Sequence, residues 1–177
     1  MPRLSLLVFA LVLSFAASAK PDQVIVVRHA ERSAEPRTDP AITPDGVRRA
    51  ELLARMLGAA NVQMIVTTNF RRTQETAAPL ARKLGLTPVV IEMRRGEVQA
   101  HMAEVIDKVE AGKGVVLVVG HTNTVSSIVE AFSETRPTPL CETSFSNMFI
   151  ATPEAPLLPA VQLKYGAPDP VPVGDCQ

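Results

Sequence analysis

Two of the three histidines in this chain closely follow valine-rich runs that predict β-strands. His29 follows the first run, with Arg28 beside it, and His121 follows another. Arg72 comes a few residues after a third predicted strand, and Glu92 directly follows a fourth. Because ligands bind beyond the carboxyl ends of the strands in an open parallel sheet, we expect these side chains to gather at one edge. A single histidine in such a place is usually a hydrogen-bonded rim residue, but two beside arginines indicate a functional site.

This set of side chains suits the binding and transfer of a phosphoryl group. Arginine donates paired hydrogen bonds to phosphate oxygens, and imidazole can attack phosphorus to form a covalent phosphoramidate. The arginines disfavour the imidazolium, so His29 is expected to be neutral and nucleophilic. His121 lies at a predicted helix start, where free N–H groups favour an anion. A departing alkoxide also needs a proton, for which Glu92 is the candidate and Glu97 or Glu31 the alternatives.

The elements that position these residues alternate between short β-branched runs and longer helical patterns, which is typical of an α/β fold with a parallel sheet. Strands are predicted at 24–27, 64–67, 88–91 and 115–119, with short edge strands at 147–151 and 161–164. Helices are predicted at 44–57, with Thr43 as the N-cap, and at 70–84, 97–111 and 122–132. His101 falls in the middle of the third helix and is expected at the surface.

The first residues of the chain have the pattern of a cleavable signal peptide. Arg3 precedes an apolar run from 4 to 15, and the small residues at 17–19 predict cleavage after Ala19. The alternative is an anchor that is never removed, but the run is shorter than the roughly 20 apolar residues that span a membrane. We therefore expect a signal peptide at 1–19, a periplasmic or secreted protein, and no stable membrane anchor after cleavage.

Residues 20–177 are enough for a single domain, with a proline-rich tail. The chain has 18 basic and 18 acidic residues, and this balance argues against a nucleic-acid partner. A small phosphorylated molecule is the expected partner. Cys141 and Cys176 form an even pair, which in an oxidising compartment predicts one disulfide, with two free thiols as the alternative.

Four short motifs resemble those of the histidine phosphatase superfamily, in its phosphoglycerate mutase-like branch. Each motif alone is weak, but the four occur in the family's order and each follows a predicted strand. The motifs are Arg28-His29-Ala30-Glu31, Arg72-Thr73-Gln74-Glu75-Thr76-Ala77, Glu92-Met93-Arg94-Arg95-Gly96 and Val118-Val119-Gly120-His121. The resemblance covers the chain from about Val24 to Ile150.

The resemblance implies a three-layer α/β/α sandwich with a mainly parallel sheet, and a reaction that needs neither a metal nor another cofactor. It implies that His29 accepts the phosphoryl group, and that Arg28, Arg72 and His121 bind phosphate. Asn123 follows His121 where glycine is commoner in the family; its amide either contacts the phosphate or caps the helix.

The sequence also departs from the family pattern. Ala30 replaces the usual glycine of the first motif, and Glu35 stands where mutases carry an asparagine. Arg32 resembles the signature of the acid-phosphatase branch, although the proline of that signature is absent. Arg32 is therefore a further candidate phosphate ligand.

The preferred hypothesis is a metal-independent phosphatase that hydrolyses phosphomonoesters through a phosphohistidine on His29. One alternative is a non-catalytic phosphate- or phosphosugar-binding protein that retains the fold. A phosphomutase is less favoured, because the short segments between the motifs leave little chain for a lid that excludes water. A cell-envelope saccharide phosphate is a substrate hypothesis that rests on the expected export alone.

Overall fold

A computed structural model describes residues 20–134 and 136–171 of the chain. The six strands of this part are β1 (Gln23–Arg28), β2 (Val62–Thr68), β3 (Val89–Ile91), β4 (Val115–Gly120), β5 (Asn147–Ala151) and β6 (Val161–Lys164). The four helices are α1 (Pro44–Leu57), α2 (Arg71–Leu84), α3 (Val98–Glu110) and α4 (Thr122–Ala131). None of these helices has the length and hydropathy needed to cross a membrane. The predicted signal peptide at 1–19 lies outside the described residues.

The strands form one sheet in the order β3-β2-β4-β1-β5-β6. The first four strands in this order are parallel, and β5 and β6 each run antiparallel to their neighbour. The prediction that both 147–151 and 161–164 are edge strands is wrong for β5, which pairs with β1 on one side and β6 on the other. Four of its five residues are buried, whereas all of β6 is exposed, so of these two strands only β6 lies at an edge of the sheet.

Helices cover both faces of the sheet. In β1, Val24 and Val26 pack in an apolar cluster with α3 and α4, whereas Ile25 and Val27 pack in a second cluster with α1 and α2. This alternation follows from the period of two in a β-strand, and the four consecutive apolar residues at 24–27 fit a strand buried on both faces. The predicted three-layer α/β/α sandwich with a mainly parallel sheet is confirmed.

The start of α1 packs closely against the loop that follows β1. The Thr43 hydroxyl accepts a hydrogen bond from the Gly46 N–H at 3.1 Å, which confirms the predicted N-cap. A Cβ at position 46 would collide with the carbonyl oxygen of Glu31, so the close approach requires glycine there. The loop after β1 therefore has a fixed position on the helix that covers it.

His101 is buried, so the prediction of a surface histidine is wrong. Its side chain is 3% exposed and lies on the inner face of α3, next to Met102. Its Nδ1 is 3.2 Å from the carbonyl oxygen of Glu92, a hydrogen bond that satisfies a ring nitrogen in the interior. His101 therefore has a structural place between α3 and the segment that follows β3.

Candidate active site

The carboxyl ends of the parallel strands border a cavity of about 510 Å³. The cavity is lined by five of the predicted site residues, namely His29, Arg32, Arg72, His121 and Asn123. The pairing of β1 with β4 sets Arg28 opposite Gly120, so the histidines that follow the two strands lie side by side. The His29 and His121 rings lie 5.4 Å apart between centroids, at an angle of 62°.

His29 has one ring nitrogen engaged and the other free for chemistry. Its Nδ1 lies 2.8 Å from the carbonyl oxygen of Ala30, and since a carbonyl only accepts, Nδ1 carries the proton. In the described part of the chain no hydrogen bond to Nε2 is found, and the residue lines the cavity. Burial is the largest effect on His29 and, together with the positive charges of Arg28, Arg72 and Arg32, it lowers the pKa to about 3, although the hydrogen bond that the Ala30 carbonyl accepts acts in the opposite direction. The imidazole is therefore neutral at pH 7, with a lone pair on Nε2.

A chain of hydroxyl groups fixes His121. Its Nε2 lies 3.0 Å from Thr68 Oγ1, and Thr68 Oγ1 lies 2.9 Å from Thr73 Oγ1. Thr73 in turn donates to the carbonyl oxygen of Phe70 at 2.8 Å. Because Thr73 uses its proton on a carbonyl, Thr68 donates to Thr73 and accepts from His121 Nε2. This chain assigns the His121 proton to Nε2 and leaves Nδ1 as an acceptor.

Arg72 occupies the space between this histidine and an aromatic ring. Its guanidinium donates to His121 Nδ1 at 3.4 Å, and its Cζ lies 4.2 Å above the centroid of Phe70. The Phe70 ring also contacts His121 edge-on, with centroids 5.6 Å apart. Burial and then the charges of His29 and Arg72 lower the pKa of His121 to about 2. Sequence reasoning missed Thr68 and Phe70, since a threonine at a strand end and a lone aromatic residue carry no motif.

Arg28 is the predicted phosphate ligand whose side chain does not line the cavity. It is 1% exposed, and its Nη1 donates to the carbonyl oxygens of Cys141, Glu142 and Ser144 at 2.9, 2.8 and 3.3 Å. Its Nη2 contacts the Glu142 carboxylate at 2.9 Å, and its Cζ lies 4.3 Å above the Phe145 ring. Arg28 therefore ties the segment before β5 to the end of β1, and a phosphate-binding role for it stays a prediction.

The three carboxyl groups predicted as candidate acids all point elsewhere. Glu92 is 57% exposed and pairs with Arg94, which also lies 3.7 Å from Glu97. Glu31 forms a two-pronged pair with the buried Arg49, at 2.7 Å for the shortest contact. None of the three lines the cavity. Their assignment as general acid stays a prediction that this arrangement does not favour.

The rim of the cavity is strongly basic. Four arginines line it in addition to Arg72, and these are Arg32, Arg37, Arg94 and Arg95. For Arg32 and Arg95 no ion pair is found within residues 20–134 and 136–171. The positive charge of Arg32 lowers the pKa values of Arg28, His29 and Arg72, which places it within electrostatic range of the histidines. A site of this charge favours an anionic ligand.

Two residues of the second motif stabilise the loop after β1. The Thr76 hydroxyl accepts from the backbone N–H of Ala30 at 2.9 Å. The Glu75 carboxylate accepts from the N–H of Ile42 at 2.8 Å and pairs with Arg71. The helix that supplies Arg72 thus also holds the backbone next to His29.

The predicted disulfide joins Cys141 to Cys176. Because Cys176 lies outside the described residues, this pairing stays a prediction.

The neutral state of both histidines predicts a loss of stability in mild acid. Their pKa values lie near 6.5 in the unfolded chain and near 3 and 2 in the folded one, so below pH 6.5 the unfolded state binds more protons. The free energy of unfolding should then fall as the pH drops from 6.5 towards 4, by up to about 1.4 kcal/mol per pH unit for each histidine. Urea unfolding at several pH values measures this slope. The double variant His29→Asn/His121→Asn should show a shallower fall, and equal slopes would contradict the prediction.

The sequence of residues 24–98 matches the model of the histidine phosphatase superfamily, branch 1. This segment carries the first three of the four motifs, including His29 and Arg72. The predicted resemblance to this superfamily is therefore confirmed, in sequence over these residues and in fold over most of the chain. No curated protein matches the chain at a significant level.

Solved structures share the fold at low sequence identity. The protein histidine phosphatase SixA in complex with tungstate is 20% identical, with a TM-score of 0.60 over 80% of this chain and 96% of that protein. The SixA protein of Nakamurella multipartitia is 23% identical, with a TM-score of 0.57 over 85% and 99%. A mycobacterial glucosyl-3-phosphoglycerate phosphatase in complex with inorganic phosphate is 14% identical, with a TM-score of 0.55 over 82% and 97%.

Proposed function

We propose that this chain is a phosphatase that hydrolyses phosphomonoesters through a covalent phosphohistidine on His29. One observation carries the proposal: His29 lies in a basic cavity with Nδ1 bound to the Ala30 carbonyl, so its neutral Nε2 is the nucleophile. The family match and the phosphatases that share the fold support the same reaction class.

The arrangement around His29 supplies what a phosphoryl group needs. Arg72 and Arg32 bring positive charge to the phosphate oxygens. The phosphate dianion also favours protonation of His121 at Nδ1, because a negative charge nearby raises the pKa of an imidazole. His121 would then donate to a phosphate oxygen through Nδ1 while its Nε2 stays bound to Thr68. The second histidine is thus a phosphate ligand held in a single orientation.

We also propose that residues 1–19 direct export and that the substrate is a small phosphorylated molecule outside the cytosol. Three features of the sequence support export: the positively charged Arg3, the apolar run that follows it, and the small residues at 17–19 that signal peptidases recognise. A cell-envelope saccharide phosphate is the substrate class that such a location favours. Expression of the full chain followed by cell fractionation tests the location, and Edman sequencing of the mature protein tests cleavage after Ala19.

Trapping of the covalent intermediate tests the reaction. The protein is mixed with p-nitrophenyl phosphate, quenched in alkali, which preserves phosphohistidine, and mapped by mass spectrometry. We expect the phosphoryl group on the peptide that carries His29. The peptide that carries the buried His101 is the internal control and should stay unmodified.

The same mixture separates the competing functions. Release of inorganic phosphate into water supports the phosphatase, whereas transfer to an added sugar phosphate without release would identify a mutase. A protein that binds phosphate with neither turnover nor an adduct would be a binding protein, and the proposal would fail.

A further inference from the structure

We infer that Glu142 is the general acid and base of this site, a role that rests on the proposed phosphohistidine reaction. Of the cavity-lining residues in the described part of the chain, Glu142 alone carries a carboxyl group. It lines the same cavity as His29, Arg72 and His121. The reaction needs a proton for the leaving oxygen and a base for the attacking water, and a carboxyl group can supply both.

The position of Glu142 is fixed by contacts to the end of β1. Arg28 holds the backbone of the segment through the carbonyl oxygens of Cys141, Glu142 and Ser144, and its Nη2 holds the Glu142 carboxylate at 2.9 Å. The guanidinium rests on the Phe145 ring at 4.3 Å, and that ring lies 6.1 Å from the His29 ring between centroids. The carboxylate is therefore joined to the nucleophile through two packed side chains.

The environment of Glu142 suits both halves of a two-step reaction. Its side chain is 70% exposed, so it can exchange protons with solvent and reach a water molecule. Its place on the cavity wall also puts the carboxyl group beside a bound phosphate ester, where it can give its proton to the leaving oxygen.

The reaction takes two steps, and Glu142 moves a proton in each. In the first, the His29 Nε2 lone pair forms a bond to phosphorus, the bond from phosphorus to the ester oxygen breaks, and the Glu142 carboxyl group protonates that oxygen to release an alcohol. In the second, the Glu142 carboxylate takes a proton from water as the water oxygen attacks phosphorus. The phosphorus–nitrogen bond breaks, its electron pair returns to His29, and inorganic phosphate leaves with Glu142 protonated again.

The variant Glu142→Gln tests this role, because glutamine still accepts a hydrogen bond from Arg28 but carries no titratable proton. We expect kcat/KM for an alkyl phosphate to fall by about 100-fold or more, because its alkoxide needs the proton. For p-nitrophenyl phosphate, whose leaving group needs no proton, kcat/KM should change by less than about threefold. The phosphohistidine should also live longer in the variant, since the base for water is gone.

Glu92→Gln and Glu97→Gln are matched controls, because both carboxyl groups are exposed and lie outside the cavity. Both should retain wild-type rates on both substrates. An equal loss on alkyl and aryl phosphates in Glu142→Gln would indicate a structural role and overturn the inference, as would a selective loss on alkyl phosphates in Glu92→Gln. If wild-type protein forms no phosphohistidine, the proposed function fails instead, so the two failures are distinguishable.

Discussion

His29→Asn should lower kcat for phosphomonoester hydrolysis by at least about a thousandfold, because it removes Nε2, the atom proposed to form the covalent intermediate. Asparagine is the sharpest replacement, since its amide N–H can still donate to the Ala30 carbonyl, the partner of His29 Nδ1. The substitution therefore deletes Nε2 while it keeps the local hydrogen bond. Steady-state phosphate release measures the loss.

Binding should survive this change. The arginines that line the cavity remain in place, so the affinity of the variant for inorganic phosphate should stay within about tenfold of that of the wild type. Calorimetric titration with phosphate checks this, and thermal unfolding confirms that the variant is folded. A variant that retained a tenth of the wild-type rate would show that another group is the nucleophile.

Arg72→Ala should reduce kcat/KM by about 100- to 1000-fold, the usual effect of removing one donor that stabilises charge in a transition state. The guanidinium lies over Phe70 and donates to His121 Nδ1, so its loss removes positive charge from the phosphate site and frees the second histidine. Arg72→Lys should fall between alanine and wild type, because an ammonium keeps the charge but not the planar pair of donors. Kinetics with p-nitrophenyl phosphate at fixed ionic strength measure both variants.

Arg71→Ala is the matched control for this prediction. Arg71 is the neighbouring arginine of the same helix, but it is exposed, pairs with Glu75 and does not line the cavity. Its substitution should change kcat/KM by less than about threefold, as expected for a surface ion pair. Equal effects of the two substitutions would mean that only the general basicity of this surface counts.

The layered fold and the meeting of the two histidines could be predicted from the sequence because both depend on local patterns. Valine-rich runs such as Val115–Val119 identify strands that are buried on both faces, and parallel strands end at the same edge of a sheet. A residue directly after such a strand, as His29 is after β1 and His121 after β4, is therefore placed by the strand alone.

The parts that could not be predicted depend on contacts between distant segments. Glu142 lies in an irregular segment with no periodicity, and it reaches the cavity because Arg28, far away in the sequence, binds the carbonyl oxygens around it. Pairing of β5 with both β1 and β6 is likewise a property of the assembled sheet. The sequence predicts His101 at the surface because polar residues usually face water, whereas in the structure a carbonyl oxygen pairs with its Nδ1 in the interior.

The place of β1 in the sheet also has a consequence for how the chain folds as it is synthesised. Both neighbours of β1 come late in the sequence: Gln23 pairs with Val115 of β4, and Val27 pairs with Met148 of β5. A growing polypeptide on the ribosome would therefore carry an apolar first strand without partners until most of the domain has emerged. Such long-range pairing slows folding and prolongs the time during which the unpaired apolar strand can aggregate.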